Sequence, residues 1–127
     1  MVRRDRVLSA GFARSMFSPA SQKAHPERVR TFASAFTSFD KAAAAITART
    51  VVTRFPGLGE VLPRRTVPTT ILMGAEDRLY PPERMRPFAA RAPNAKLEVV
   101  PSCGHLAPRE APEAAGAALE GLAGRRS

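Results

Sequence analysis

The sequence predicts an α/β chain: two parallel strands with crossover helices, preceded by further helices. Three observations carry this reading. Thr69 to Met73 (TTILM) and Lys96 to Val100 (KLEVV) are short β-branched or apolar runs, ended by Gly74 and Pro101. Between them a helical stretch opens at Pro81 and Pro82 and runs to about Ala92, with Met85, Phe88, Ala89 and Ala92 on one face. After the second run, Pro112 opens a last helix through Ala115, Ala118, Leu119 and Leu122, which Gly124 stops. A crossover of that length makes the strands parallel and right-handed. The unbroken apolarity of TTILM reads as a buried strand in a sheet covered on both faces. Pro87 is awkward in its helix, because it removes the bond to the Glu83 carbonyl and bends the first turns.

The elements ahead of the strands follow in chain order. Residues 1–26 contain Gly11, Pro19 and Pro26 and no sustained period, which reads as short helical pieces and loops. From Glu27 to about Arg49 the apolar positions Val29, Phe32, Phe36, Phe39, Ala43 and Ile46 recur at steps of three or four. That spacing is one face of a helix, or of two consecutive helices. Pro26 and Glu27 suit a first turn, since proline needs no donor there and a carboxylate suits the positive helix end. The three phenylalanines line a pocket or, more simply, pack on a core. Residues 55–68 (FPGLGEVLPRRTVP) hold three prolines and two glycines and read as a connector with at most a short helix.

Composition narrows the function classes. At 127 residues there is room for one domain at most. A hydrophobic fraction of 44% with 24% charged residues speaks against wholesale disorder. The longest apolar stretch, Ala42 to Ile46, is far below the roughly 20 residues of a membrane span. One cysteine excludes an internal disulfide and a multi-Cys zinc site, and two histidines speak against a His-rich metal cage. The net charge of +9 is uneven: residues 1–65 hold 12 Lys/Arg and 4 Asp/Glu, residues 66–127 hold 8 and 7. Such asymmetry is one mark of a nucleic-acid surface. Here the bases are scattered, with no run beyond Arg-Arg and no zinc-finger or aromatic RNA-binding signature, so nucleic-acid binding ranks lowest. The start, MVRRDRVLSAGFARS, lacks the apolar core of a secretory signal, and a cytoplasmic chain is the expectation.

Two loops stand out. Parallel neighbours end at the same sheet edge, where ligands and reacting groups of open α/β sheets collect. After the first strand comes GAEDRLYPP, carrying Glu76 and Asp77; after the second comes PSCGHLAP, carrying His105. An imidazole held by a carboxylate has a fixed tautomer and a stabilised charged form, the general-base half of a nucleophile–His–acid triad. Gly104 is expected to let the backbone turn tightly beside His105. Plainer roles stand beside these. Asp77 suits a turn or a helix cap ahead of Pro81. Glu76 is a solvated neighbour or a reserve acid, and His105 has a plain loop role open to it. Cys103 and Ser102 lie too close in sequence to His105 for attack geometry, and Cys103 reads as a small packing residue. His25 sits at a helix entrance with no partner to name, and Leu79 and Tyr80 either border a site or pack.

The order of these motifs resembles the C-terminal part of the α/β-hydrolase superfamily: G-A-E-D-R-L-Y-P-P after an apolar strand, P-N-A-K-L-E-V-V-P-S-C-G-H, then a helix opened by Pro-Glu. The resemblance covers about residues 66–123. It implies Asp77 as the triad acid and His105 as the triad base. It implies residues 1–62 as a cap-like helical segment and connector, and 63–127 as the C-terminal βαβα part of the core. One departure is large. The family's G-x-S-x-G nucleophile elbow precedes the acid and the histidine, and this sequence contains none; the oxyanion-hole loop is missing too. The expectation is therefore about half of a hydrolase domain, its nucleophile outside this chain, serving a small ester, lactone or related substrate. No metal or organic cofactor is implied. The isolated chain is expected to be inactive, and its two strands to leave an open edge for a complementary N-terminal half or a second copy. The alternative is a catalytically inactive remnant or interaction module.

Overall fold

The computed structural model describes residues 10–54 and 58–125, so the reading of the chain's first nine residues and of 55–57 in the connector lies outside the described residues, as does the side chain of Phe36. Residues 10–16 are helical (α1). Ser18 caps the next helix, α2 (Pro19–Ala24), its Oγ accepting from the Ser21 N–H at 3.0 Å. His25 separates α2 from α3 (Pro26–Ser38), in which Pro26 takes the first position and Glu27 the first turn. Asp40 Oδ1 accepts from the Ala43 N–H at 2.7 Å and starts α4 (Lys41–Arg54). The single periodic stripe read from Val29 to Ile46 is thus two helices. Phe32 packs between Phe12 and Phe17. Phe39 and Ile46 do not follow it inward, and Ile46 is 68% exposed. The break at Phe39–Asp40 resets the helix phase, so residues beyond it no longer share the face of Val29 and Phe32.

The connector holds one helical turn, α5 (Leu58–Val61), and a 3₁₀ turn, Leu62–Arg64, before β1 (Thr69–Gly74). Then come α6 (Pro82–Ala90), β2 (Ala95–Val100), a single turn α7 (Ala107–Glu110) within the stretch expected to be loop, and α8 (Pro112–Gly124). β1 and β2 pair in parallel from Thr69↔Ala95 to Gly74↔Val100. Burial differs from the fully covered strand expected of TTILM: only Met73 and Gly74 are buried, and β2 is mostly half-buried. α6, α7 and α8 pack against the two strands, and among the described residues there is no third strand to flank them. α6 ends two residues short of Ala92 and turns inward its small residues, Pro82 and Ala89, with Phe88 outside. α8 likewise buries Ala118 and leaves Leu119 67% exposed.

α7 and its flanks join the two halves. The Arg109 guanidinium lies 5.8 Å above the Phe32 ring, and the Arg109 carbonyl accepts from Arg28 Nη1 at 3.0 Å. Phe17 is among the largest fully buried side chains, so the core here spans α1, α3 and the loop before α7.

Candidate active site

Because Gly74 faces Val100, both strands end level and their loops leave the same edge. Backbone bonds tie the loops together: Ala75 N–H to the Val100 carbonyl and Glu76 N–H to the Cys103 carbonyl, both 2.8 Å. Gly74 is required by this approach, since a Cβ there would strike the Cys103 and Gly104 carbonyls.

Asp77 is buried at the head of the first loop, and its two carboxylate oxygens have separate partners. Oδ1 accepts from the Leu79 and Tyr80 N–H groups at 2.8 and 3.0 Å, closing an Asx turn. Oδ2 stands 2.9 Å from His105 Nδ1. The turn role and the partner role are therefore held at once. The Asp77 side chain is 6% exposed and that of His105 29%, so the pair opens to solvent on the imidazole side. A carboxylate acceptor assigns the proton to Nδ1 and leaves Nε2 the lone pair. No hydrogen bond reaches Nε2 among the described residues. Tyr80 stacks on the imidazole, centroids 5.9 Å apart at 28°.

The other candidates fall elsewhere. The Glu76 side chain is exposed, and only its backbone joins the second loop. Cys103 is buried, and burial first, then the charges of Glu110, Asp77 and Glu76, push its thiol up from 9.0 to about 11. It is protonated at neutral pH, the opposite of an activated nucleophile. Ser102 carries the left-handed backbone of this loop, with φ 54°. This corrects the expectation for Gly104. Among the described residues no glycine has positive φ, and Gly104 serves close approach: a Cβ there would lie 2.6 Å from Ser18 N and 2.8 Å from the Phe17 carbonyl carbon. His25 has a partner after all, Glu27 Oε1 at 3.4 Å on the surface.

Glu110 joins the site without a motif to mark it in the sequence. Glu110, at the end of α7, accepts from Ser18 N–H through Oε2 (2.8 Å) and from Gly104 N–H through Oε1 (2.9 Å). Its local signal was slight: Pro108 opens one helical turn that Pro112 ends. The partner that gives it meaning lies 92 positions away. A separate open cavity of about 550 Å³ lies beside the acid loop, with Arg14, Lys23 and Arg78 on its wall. Among the described residues no group of three or more His, Cys, Asp or Glu could hold a metal ion, and no helix is long and apolar enough to cross a membrane.

A sequence model of the alpha/beta hydrolase family matches residues 2–119. A search of curated proteins finds no match. Among solved structures, the chain resembles a thermophilic esterase from Thermogutta terrifontis, solved with malate bound, with TM-score 0.85 and 26% identity over 97% of this chain and 47% of that one. It also resembles an alpha/beta hydrolase enzyme from a Medee basin deep-sea metagenome library, with TM-score 0.70 and 22% identity over 95% of this chain and 50% of that one. For an N-acyl homoserine lactone degrading enzyme the values are TM-score 0.72 and 22% identity, over 88% of this chain and 45% of that one. The chain spans about half the length of the solved structures it matches.

Proposed function

Since the chain belongs to the alpha/beta hydrolase family, we propose that Asp77 and His105 are the acid and base of a nucleophile–His–acid triad whose nucleophile lies outside these 127 residues. The observation that carries this is the 2.9 Å contact between His105 Nδ1 and a buried Asp77, with Nε2 unengaged among the described residues. In this reading Nε2 takes the proton of an attacking hydroxyl as its oxygen bonds to the substrate carbonyl carbon. The imidazolium then delivers that proton to the leaving alkoxide, and a water repeats the sequence on the acyl intermediate. Asp77 holds the tautomer and offsets the imidazolium charge without taking the proton itself. The substrate class is a small ester, lactone or related carbonyl compound. The esterase and lactone-degrading neighbours support that class, and the residues present do not choose within it.

A second reading, a catalytically inactive module, draws on the absence of G-x-S-x-G from this sequence. The DNA upstream of the Met1 codon separates the two. An in-frame G-x-S-x-G after an apolar strand is expected under the triad, and its absence favours the module. A p-nitrophenyl ester assay of the isolated chain is the complementary test. No turnover above that of His105→Ala is expected. Robust turnover, lost in His105→Ala, would show that the nucleophile is within these residues after all.

A further inference from the structure

We propose that Glu110 is the positioning residue of His105, holding the second loop through a bridge to the 16–18 segment so that the imidazole meets Asp77. This rests on the reading of His105 as the base. The loop around His105 has little regular structure of its own: it leaves β2, passes through Ser102 in the left-handed region, and reaches α7 only at Ala107. Four contacts fix it to residues 16–18. His105 N–H donates to the Met16 carbonyl at 3.0 Å, and Ser18 Oγ donates to the Ser102 carbonyl at 2.8 Å. The other two pass through the Glu110 carboxylate, which takes Ser18 N–H on one oxygen and Gly104 N–H on the other. Gly104 immediately precedes His105, so its N–H fixes the Cys103–Gly104 peptide, and the His105 N–H bond to Met16 fixes the next one.

The chemistry of this bridge is specific to a carboxylate. Two N–H donors converge, so both opposing atoms must be acceptors. An amide offers one acceptor and sets its NH₂ against the other donor. An aspartate keeps both acceptors but is one methylene short of spanning the two segments. Charge-assisted bonds of this kind are roughly twice as strong as neutral ones. Ser18 and Gly104 approach too closely for any side chain on residue 104, so the two donors stay at a fixed separation.

The test reads the imidazole directly in the full 127-residue chain. With only two histidines, His25 and His105, the ring protons are assigned by comparison with His25→Ala. The measured quantity is the solvent-exchange rate of the His105 Nδ1 proton by NMR. Glu110→Gln is expected to raise that rate at least fivefold, with the His25 signals and the circular dichroism spectrum unchanged. Ala118→Gly, which weakens a buried helix position away from the loop, is expected to leave it within twofold of the parent. A His105 rate unmoved by Glu110→Gln overturns the proposal, as does an equal rise in Ala118→Gly. If Glu110→Gln loses the fold, Glu110→Asp takes its place under the same criterion. Asp77→Asn separates the two levels of inference. If it removes the Nδ1 proton signal or accelerates its exchange while the Glu110 variants leave exchange unmoved, only the Glu110 proposal fails. If Asp77→Asn has no effect either, the Asp77–His105 pair does not form in solution, and the triad reading fails with it.

Discussion

Asp77 divides its work between two oxygens, and its variants should divide accordingly. Asp77→Asn keeps an acceptor for the Leu79 and Tyr80 N–H groups but presents an amide to His105 Nδ1. In a protein that also carries the nucleophile, kcat should fall roughly 10³–10⁴-fold with little change in Tm, because the wrong tautomer is favoured. Asp77→Ala should also lose about 1–3 kcal/mol of stability by stranding the turn donors, a difference measurable by urea unfolding of the two variants side by side. Cys103 makes a separate, pH-dependent prediction. Its thiol keeps its proton in the folded chain up to about 11, whereas the unfolded chain releases it near 9.0. Between those values the folded state binds more protons, so stability falls as pH rises, by on the order of 2 kcal/mol. Cys103→Ala should flatten the unfolding free energy across that window, and an unchanged slope would exclude the thiol as its source.

At the scale of elements, what the sequence made legible was local. Pro26, Pro82 and Pro112 open helices because each tolerates the missing donor and arrives with helical φ. TTILM and KLEVV were legible as strands to within one residue at each end, and their parallel pairing followed from the helix between them. That pairing puts the two loops, with Asp77 and His105, at one edge from the sequence pattern alone. What stayed hidden depends on distant partners. Nothing around Glu110 announces Ser18, and nothing around Phe39 or Ile46 says that the helix break at Phe39–Asp40 resets the buried face. The choice between Glu76 and Asp77 came from the resemblance, and physically it rests on the Asx turn that aims Oδ2. The end of β1 supplies a sharp test. Gly74→Ala puts a methyl group against the Cys103 and Gly104 carbonyls, two backbone atoms that cannot step aside. It should destabilise the chain by about 1–3 kcal/mol and drive the two loops apart, seen as loss of amide protection at Glu76. A protected Glu76 amide in a stable Gly74→Ala chain would contradict this packing.

For the molecule as a whole, the described core is thin. Among the described residues the buried apolar set is half alanine, with two methionines, one cysteine, one phenylalanine and one leucine, and the sheet has two strands. Two strands alone are marginally stable, and an open edge invites pairing. We therefore expect the isolated chain to self-associate in solution, and Ile46→Lys with Leu119→Lys to raise its monomer fraction. A monodisperse parent in sedimentation velocity would refute this. The bridge at Glu110 has a consequence in time as well as in space. Strand pairing closes a loop of modest length, because Thr69 meets Ala95, but the Ser18–Glu110 contact joins residues 92 apart. The entropy of closing a loop grows with its length, and contacts of high sequence separation form late. The pair that would do chemistry should thus be ordered only in the final step of folding, and chains arrested before it would hold the strands, both loops, Asp77 and His105, yet have no working geometry between them.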